Sequence, residues 1–247
     1  MPITTQADTP PPSDPEINVF DTSEADTLVP EGIDGTLLQT SLNFEWQNFV
    51  PGRFKILKTL GRGGHGTVLL AKDTELDRVV AIKFVLPKKE FHPGNNSAFL
   101  DESKILASLD HPHIVPIYDV GKSQIEDSNA FYIVSKYVEG GTLAQAIRNR
   151  MFSFAETSRV IRLVALALQY SHEKGLVHLD VKPDNILLDK NRQPFLADFG
   201  LAMRHEMDPG SSLPLGTPAY MSPEQVNGEG HRIDGRSDTF SLGIIPV

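Results

Sequence analysis

The 247-residue sequence predicts an α+β protein of two lobes, a small antiparallel β lobe with one helix followed by a mainly helical lobe. Three observations carry this reading. Apolar β-branched runs separated by turn signals fill the chain from Phe54 to about Val138. A single long amphipathic run, SFAETSRVIRLVALALQYSHEKG, follows them. Between the two textures the spacing of apolar residues changes from alternation to a helical period.

The elements follow in order. Residues 1–43 are rich in Pro, Asp, Thr and Ser, a composition that buries too little apolar surface to offset chain entropy. They read as an acidic, disordered leader preceding a folded domain over 44–247. FKILKTLG, GTVLLAKD and RVVAIKFV read as strands, broken at GRGGHG and DTELD. SAFLDESKILASL (97–109) has helical spacing. IVPIYDVG and AFYIVSKYV read as two further strands. In the long helix Ser153 and Glu156 form a capping-box pattern, and Gly175 stands where a left-handed C-terminal cap belongs. NILL and PFLAD are short strands, and SDTFSLGII begins a last helix. The lobes divide at about 138/139.

Composition removes several classes. There is no Cys, so disulfides, thiolate metal sites and Cys nucleophiles are excluded. The N-terminus lacks the basic and apolar regions of a signal peptide, and no apolar run is long enough to span a bilayer. A cytoplasmic protein is expected, with any membrane anchor lying beyond Val247. The net charge of −9 is concentrated: residues 1–50 hold nine acids (Asp8, Asp14, Glu16, Asp21, Glu24, Asp26, Glu31, Asp34, Glu45) and no Lys or Arg. The rest is balanced, so nucleic acid is not an expected partner.

Several motifs carry chemistry. Gly61, Gly63 and Gly66 stand at G-x-G-x-x-G spacing, and glycines let backbone amides approach phosphate oxygens. A dinucleotide fingerprint needs a helix straight after the glycines. Here TVLLAKD is a strand, so the glycines close a hairpin. Lys83 follows on the next strand, and Glu102 on the first helix is placed to pair with it. His178, Asp180, Lys182 and Asn185 lie in a loop between the capped helix and NILL. Asp198, at a strand end thirteen residues after Asn185, can share a hard cation such as Mg²⁺ with it.

The ordered set GRGGHGTV, VAIK, Glu102, HLDVKPDN, DFG and GTPAYMSPEQ resembles the protein-kinase family, whose signature is known in general form, from about Phe54 to about Ile245. The Lys of DVKPDN and the Thr of GTPAYMSPE resemble the serine/threonine branch, and the wording GTPAYMSPEQ its bacterial members. The resemblance implies ATP and Mg²⁺ as cofactors and Ser/Thr-containing proteins as substrates. It implies that Gly61, Arg62, Gly63, Gly64 and Gly66 cover the phosphates. Lys83 would hold the α- and β-phosphates and pair with Glu102. Asp180 would accept the substrate hydroxyl proton, Lys182 would touch the γ-phosphate, and Asn185 and Asp198 would bind Mg²⁺. Val68, Ala81 and Leu187 would wall the adenine, and the backbone of Lys136 and Val138 would read its edge. Ser135 would be a small gatekeeper opening a back pocket.

Two departures shape further expectations. Leu179 stands where the family often has an Arg that pairs with activation-loop phosphate. Leu cannot do so, so dependence on phosphorylation at Ser211 or Ser212 should be weak, and Thr217 should contact Asp180 and Lys182. The helices that usually follow RSDTFSLGII are expected to be missing, leaving Glu224 as a buried carboxylate without its usual Arg; a fragment, a truncated gene product and a protein whose second lobe a partner completes are the open alternatives. Two other readings compete: a nucleotide-binding pseudokinase or scaffold, and a small-molecule phosphotransferase of related fold, against which the GTPAYMSPE segment argues.

Overall fold

A computed structural model describes residues 46–63, 66–85, 104–125, 128–199 and 216–245. Gly64, Glu102, Ser211, Ser212 and the 1–43 leader lie outside them, as does most of the helix expected over 97–109, of which residues 104–107 form a helical turn.

Five antiparallel strands form the sheet: β1 (Phe54–Gly63), β2 (Gly66–Asp73), β3 (Arg78–Val85), β4 (Ile117–Ile125) and β5 (Ser128–Lys136), in the order β1-β2-β3-β5-β4. β1 and β2 pair down to Gly63 opposite Gly66, so the glycines do close a hairpin. β4 starts later than the sequence suggested. Pro116 has no amide to donate to a ladder, and its carbonyl instead accepts from the Lys136 amide at 3.0 Å.

Period-2 alternation sorts the two faces of β2 and β3. Leu69, Ala71, Val80, Ile82 and Phe84 are fully buried on one face. Val68, Leu70, Ala81 and Lys83 on the other are half-buried. The buried face is covered by a 3₁₀ turn, Trp46–Phe49. The Trp46 ring lies 4.8 Å from that of Phe84, and Val50 completes the cluster. Gln47 also acts on the edge strand β1: its Nε2 donates to the Phe54 carbonyl (2.7 Å) and its Oε1 accepts from the Ile56 amide (3.0 Å).

The helical region begins with α1 (Leu143–Arg148) and α2 (Phe154–Glu173). α2 starts as the sequence requires. Ser153 accepts from the Glu156 amide, and Glu156 accepts from the Ser153 amide at 2.9 Å. It ends in a Schellman motif: Gly175, at φ +80°, donates to His172, and the Leu176 amide reaches back to Ser171. The short strands β6 (Ile186–Leu188) and β7 (Pro194–Leu196) pair antiparallel, and two further helices follow, α3 (Pro223–Val226) and α4 (Gly235–Ile244). Val160, Val164, Ala167 and Leu168 of α2 pack with Val181, Ile186, Leu196 and Leu242 in the second core. The architecture is the expected bilobal α+β one.

Glu224 needs a correction. It is half-buried, not buried, and it has a partner: the Ser237 hydroxyl donates to its carboxylate. That bond, ahead of the opposing effect of burial, holds the carboxyl below its ordinary value. A short neutral side chain on α4 does what an arginine was expected to do. Val226, Phe240 and Ile244 on α3 and α4 are exposed apolar side chains.

Candidate active site

The loop from His178 to Asn185 contains no regular ladder, so side chains must hold its backbone. Asp238 of α4, fully buried, does much of this: its Oδ2 accepts from the His178 amide and its Oδ1 from the Leu179 amide, both at 2.8 Å. His172 of α2 touches the same Oδ2 at 2.8 Å. His178 is buried, with Nε2 donating to the Ala197 carbonyl (2.9 Å) and Nδ1 accepting from the Asp180 amide (3.3 Å). Its ring packs on Phe199 with centroids 4.6 Å apart. The loop is therefore fastened to α4 and to the end of β7, and α4 in turn to α2.

This fastening aims Asp180. Its Oδ1 accepts from the Thr217 hydroxyl at 2.7 Å, and its Oδ2 accepts from Asn185 Nδ2 at 3.0 Å. Lys182 Nζ lies 2.9 Å from the same Oδ2 and donates to Thr217 Oγ1 at 2.6 Å. Thr217 thus meets both residues the sequence reading gave it. Asn185 Nδ2 also donates to the Asp180 carbonyl at 2.8 Å. Its amide nitrogen is thereby engaged twice.

The second half of the site comes from β3 and β7. The β6–β7 register pairs Ile186 with Leu196, and the Ala197 amide donates to the Asn185 carbonyl at 2.9 Å. That register brings Asn185 and Asp198 to neighbouring positions. Asp198 adopts φ +67°, a conformation uncommon for a residue with a side chain. Its Oδ1 meets Lys83 Nζ in a short ion pair whose two side chains are 17% and 28% exposed. Strand pairing sets Val68 opposite Lys83 and Ala81 opposite Ser135, while Leu187 bridges to Thr142.

Lys83, Asp180, Lys182, Asn185 and Asp198 are accordingly drawn into two contact groups, linked through the β6–β7 register. Gly61, Arg62, Gly63 and Gly66 lie in the β1–β2 hairpin. Lys136 and Val138 lie at the end of β5 and just past it. Sequence reading missed Gln225, which donates from Nε2 to the Leu179 carbonyl at 2.9 Å. No motif flags a buried glutamine; only its place just after MSPE could have drawn notice.

Residues 54–247 match the family described as the protein kinase domain. The chain belongs to the protein kinase family. Curated relatives of this kinase domain include a probable serine/threonine-protein kinase of Streptomyces coelicolor, 38% identical over 200 residues (78% of this chain, 29% of that protein). Serine/threonine-protein kinase PknB of Mycolicibacterium smegmatis is 37% identical over 201 residues (78% and 31%). Serine/threonine-protein kinase PrkC of Bacillus subtilis is 36% identical over 203 residues (79% and 30%). The chain thus spans 29–31% of the length of these relatives. Among solved structures, the kinase domain of PknI from Mycobacterium tuberculosis aligns with a TM-score of 0.61 at 29% identity, covering 79% of this chain and 72% of that one. Among the described residues, no helix is long and apolar enough to cross a membrane.

Proposed function

We propose that the chain is a protein serine/threonine kinase that moves the γ-phosphate of ATP to Ser or Thr hydroxyls of proteins. The observation that carries this is the Asp180 carboxylate. It already accepts a hydrogen bond from a threonine hydroxyl, while Lys182 lies against both. A carboxylate so held can orient a substrate hydroxyl and take its proton as the oxygen attacks phosphorus. The Lys182 ammonium, 2.9 Å from that carboxylate, is near enough to offset charge gathering on the transferred group.

ATP and Mg²⁺ fit the donor set. Asn185 and Asp198 present hard oxygens, the ligands Mg²⁺ prefers, and two protein ligands leave room for phosphate oxygens and water. Bound there, Mg²⁺ would supply charge neutralisation on the phosphates. Lys83, on β3, would hold the α- and β-phosphates, with Glu102 as its proposed second partner. Gly61, Arg62, Gly63, Gly64 and Gly66 would cover the phosphates. Val68, Ala81, Leu187, Ser135, Lys136 and Val138 would form the adenine site. The half-burial of Val68, Ala81, Leu187 and Ser135 supports this, and the opposite face of β2 and β3 is sealed.

The catalytic unit is assigned to 44–247, with its lobes dividing near 138/139, and its location to the cytoplasm. The family match from residue 54 supports the domain limit. The test is the intact mass of the 1–247 protein after incubation with ATP and Mg²⁺, with Asp180→Asn beside it. Added phosphate in the wild type alone is expected. No added phosphate on the chain or on a generic protein substrate sinks the kinase reading.

A further inference from the structure

Leu179 precedes Asp180 and sits at φ +67°, in the left-handed region that a bulky side chain rarely enters. The residue is only 2% exposed. Both of its backbone groups are held by side chains from later elements. Asp238 takes its amide, and Gln225 Nε2 donates to its carbonyl at 2.9 Å.

Gln225 is itself aimed. It is buried, and its Oε1 accepts from the Ser222 amide and hydroxyl, both at 3.1 Å. The amide oxygen is thereby turned to the α3 cap and the nitrogen to Leu179. Gly216 clears the approach: a Cβ there would stand 2.8 Å from the Leu179 carbonyl oxygen and 3.3 Å from Gln225 Nε2. The 216–225 segment therefore grips the loop at two places, through Thr217 on the Asp180 carboxylate and through Gln225 on the peptide bond just before it.

We propose that Gln225 is a positioning residue for phosphoryl transfer: by holding the Leu179 carbonyl it fixes the orientation of the 179–180 peptide, and so keeps Asp180 aimed. The inference rests on the kinase reading above. If that peptide flipped, the Asp180 amide would leave His178 Nδ1 and the carboxylate would leave Thr217 and Lys182. The bond from Gln225 to the loop is to the Leu179 carbonyl, so its influence on Asp180 is argued through Leu179.

The test removes the Gln225 donor. Gln225→Met keeps the side-chain length and removes the donor. We expect kcat to fall about tenfold, the factor one uncompensated hydrogen bond commands, with KM for ATP and the nucleotide-induced thermal shift unchanged. A folded Gln225→Met protein within about twofold of wild-type kcat overturns the proposal. A readout independent of activity is amide exchange in the full chain. Gln225→Met should speed exchange in 177–185 and leave 154–173 unchanged, and a uniform rise over both segments overturns the proposal as well. If the wild type transfers no phosphate, the kinase reading fails while the exchange result still decides the role of Gln225.

Discussion

The five-stranded sheet and the 178–185 loop are held together by opposite means. In the sheet, backbone pairs with backbone over long registers, and side chains need only alternate. In the loop, backbone pairs with the Asp238 and Gln225 side chains, which come from 46 to 60 residues away in sequence. The sheet spreads its stability over many replaceable contacts, whereas the loop concentrates it in a few atoms. One substitution should therefore damage the loop far more than the sheet.

The largest expected effect is at the loop's centre. Asp180→Asn should lower kcat by about 10³-fold, the range set by losing a positioned proton acceptor. The thermal shift on adding nucleotide should persist; its loss would mean the side chain supports the fold instead. Next is Asp238→Ala, which orphans the buried His178 and Leu179 amides together. Unfolding calorimetry should show a loss of about 3–5 kcal/mol. A loss under about 1 kcal/mol would break the contrast with the sheet.

On the sheet side, Trp46→Ala removes a half-buried ring from Phe84 and should cost about 2 kcal/mol. KM for ATP should stay unchanged, because Trp46 lies on the face away from Lys83. Ser153→Ala removes the α2 cap and should cost about 1 kcal/mol, read from the denaturation midpoint.

The smallest effect is a pH dependence. The Ser237 hydrogen bond sets the Glu224 carboxyl below its ordinary value of 4.5 in the folded state. Its stabilisation is thus complete above the ordinary value and is lost as pH falls through the lowered one. Glu224→Gln should flatten that part of the stability profile below pH 4.5, and an unchanged acid limb in Glu224→Gln would refute the assignment.

The same contrast explains what the sequence revealed. The strands, the Ser153–Glu156 cap and the Gly175 stop were legible because each is local: alternation, a four-residue motif, one left-handed glycine. Lys83, Asp180, Asn185 and Asp198 were legible only as a family pattern, since nothing near them in sequence says that Lys83 and Asp198 meet across 115 residues. The β4 start was misjudged by reading apolar residues through Pro116. The Glu224 partner was misjudged by looking for a charge where a serine hydroxyl sufficed. Gln225 and Gln47 were invisible, because an isolated amide side chain carries no periodicity and reveals its bonds only once folded.

Gln47 has a consequence for self-association. β1 is an edge strand, and edges with free backbone groups recruit strands from other molecules. By taking the Phe54 carbonyl and the Ile56 amide, the Gln47 amide does the work of a neighbouring strand one residue long. It occupies the two groups on which an incoming strand would first have to zip. The protein carries in one side chain a guard against growing its sheet outward into an aggregate.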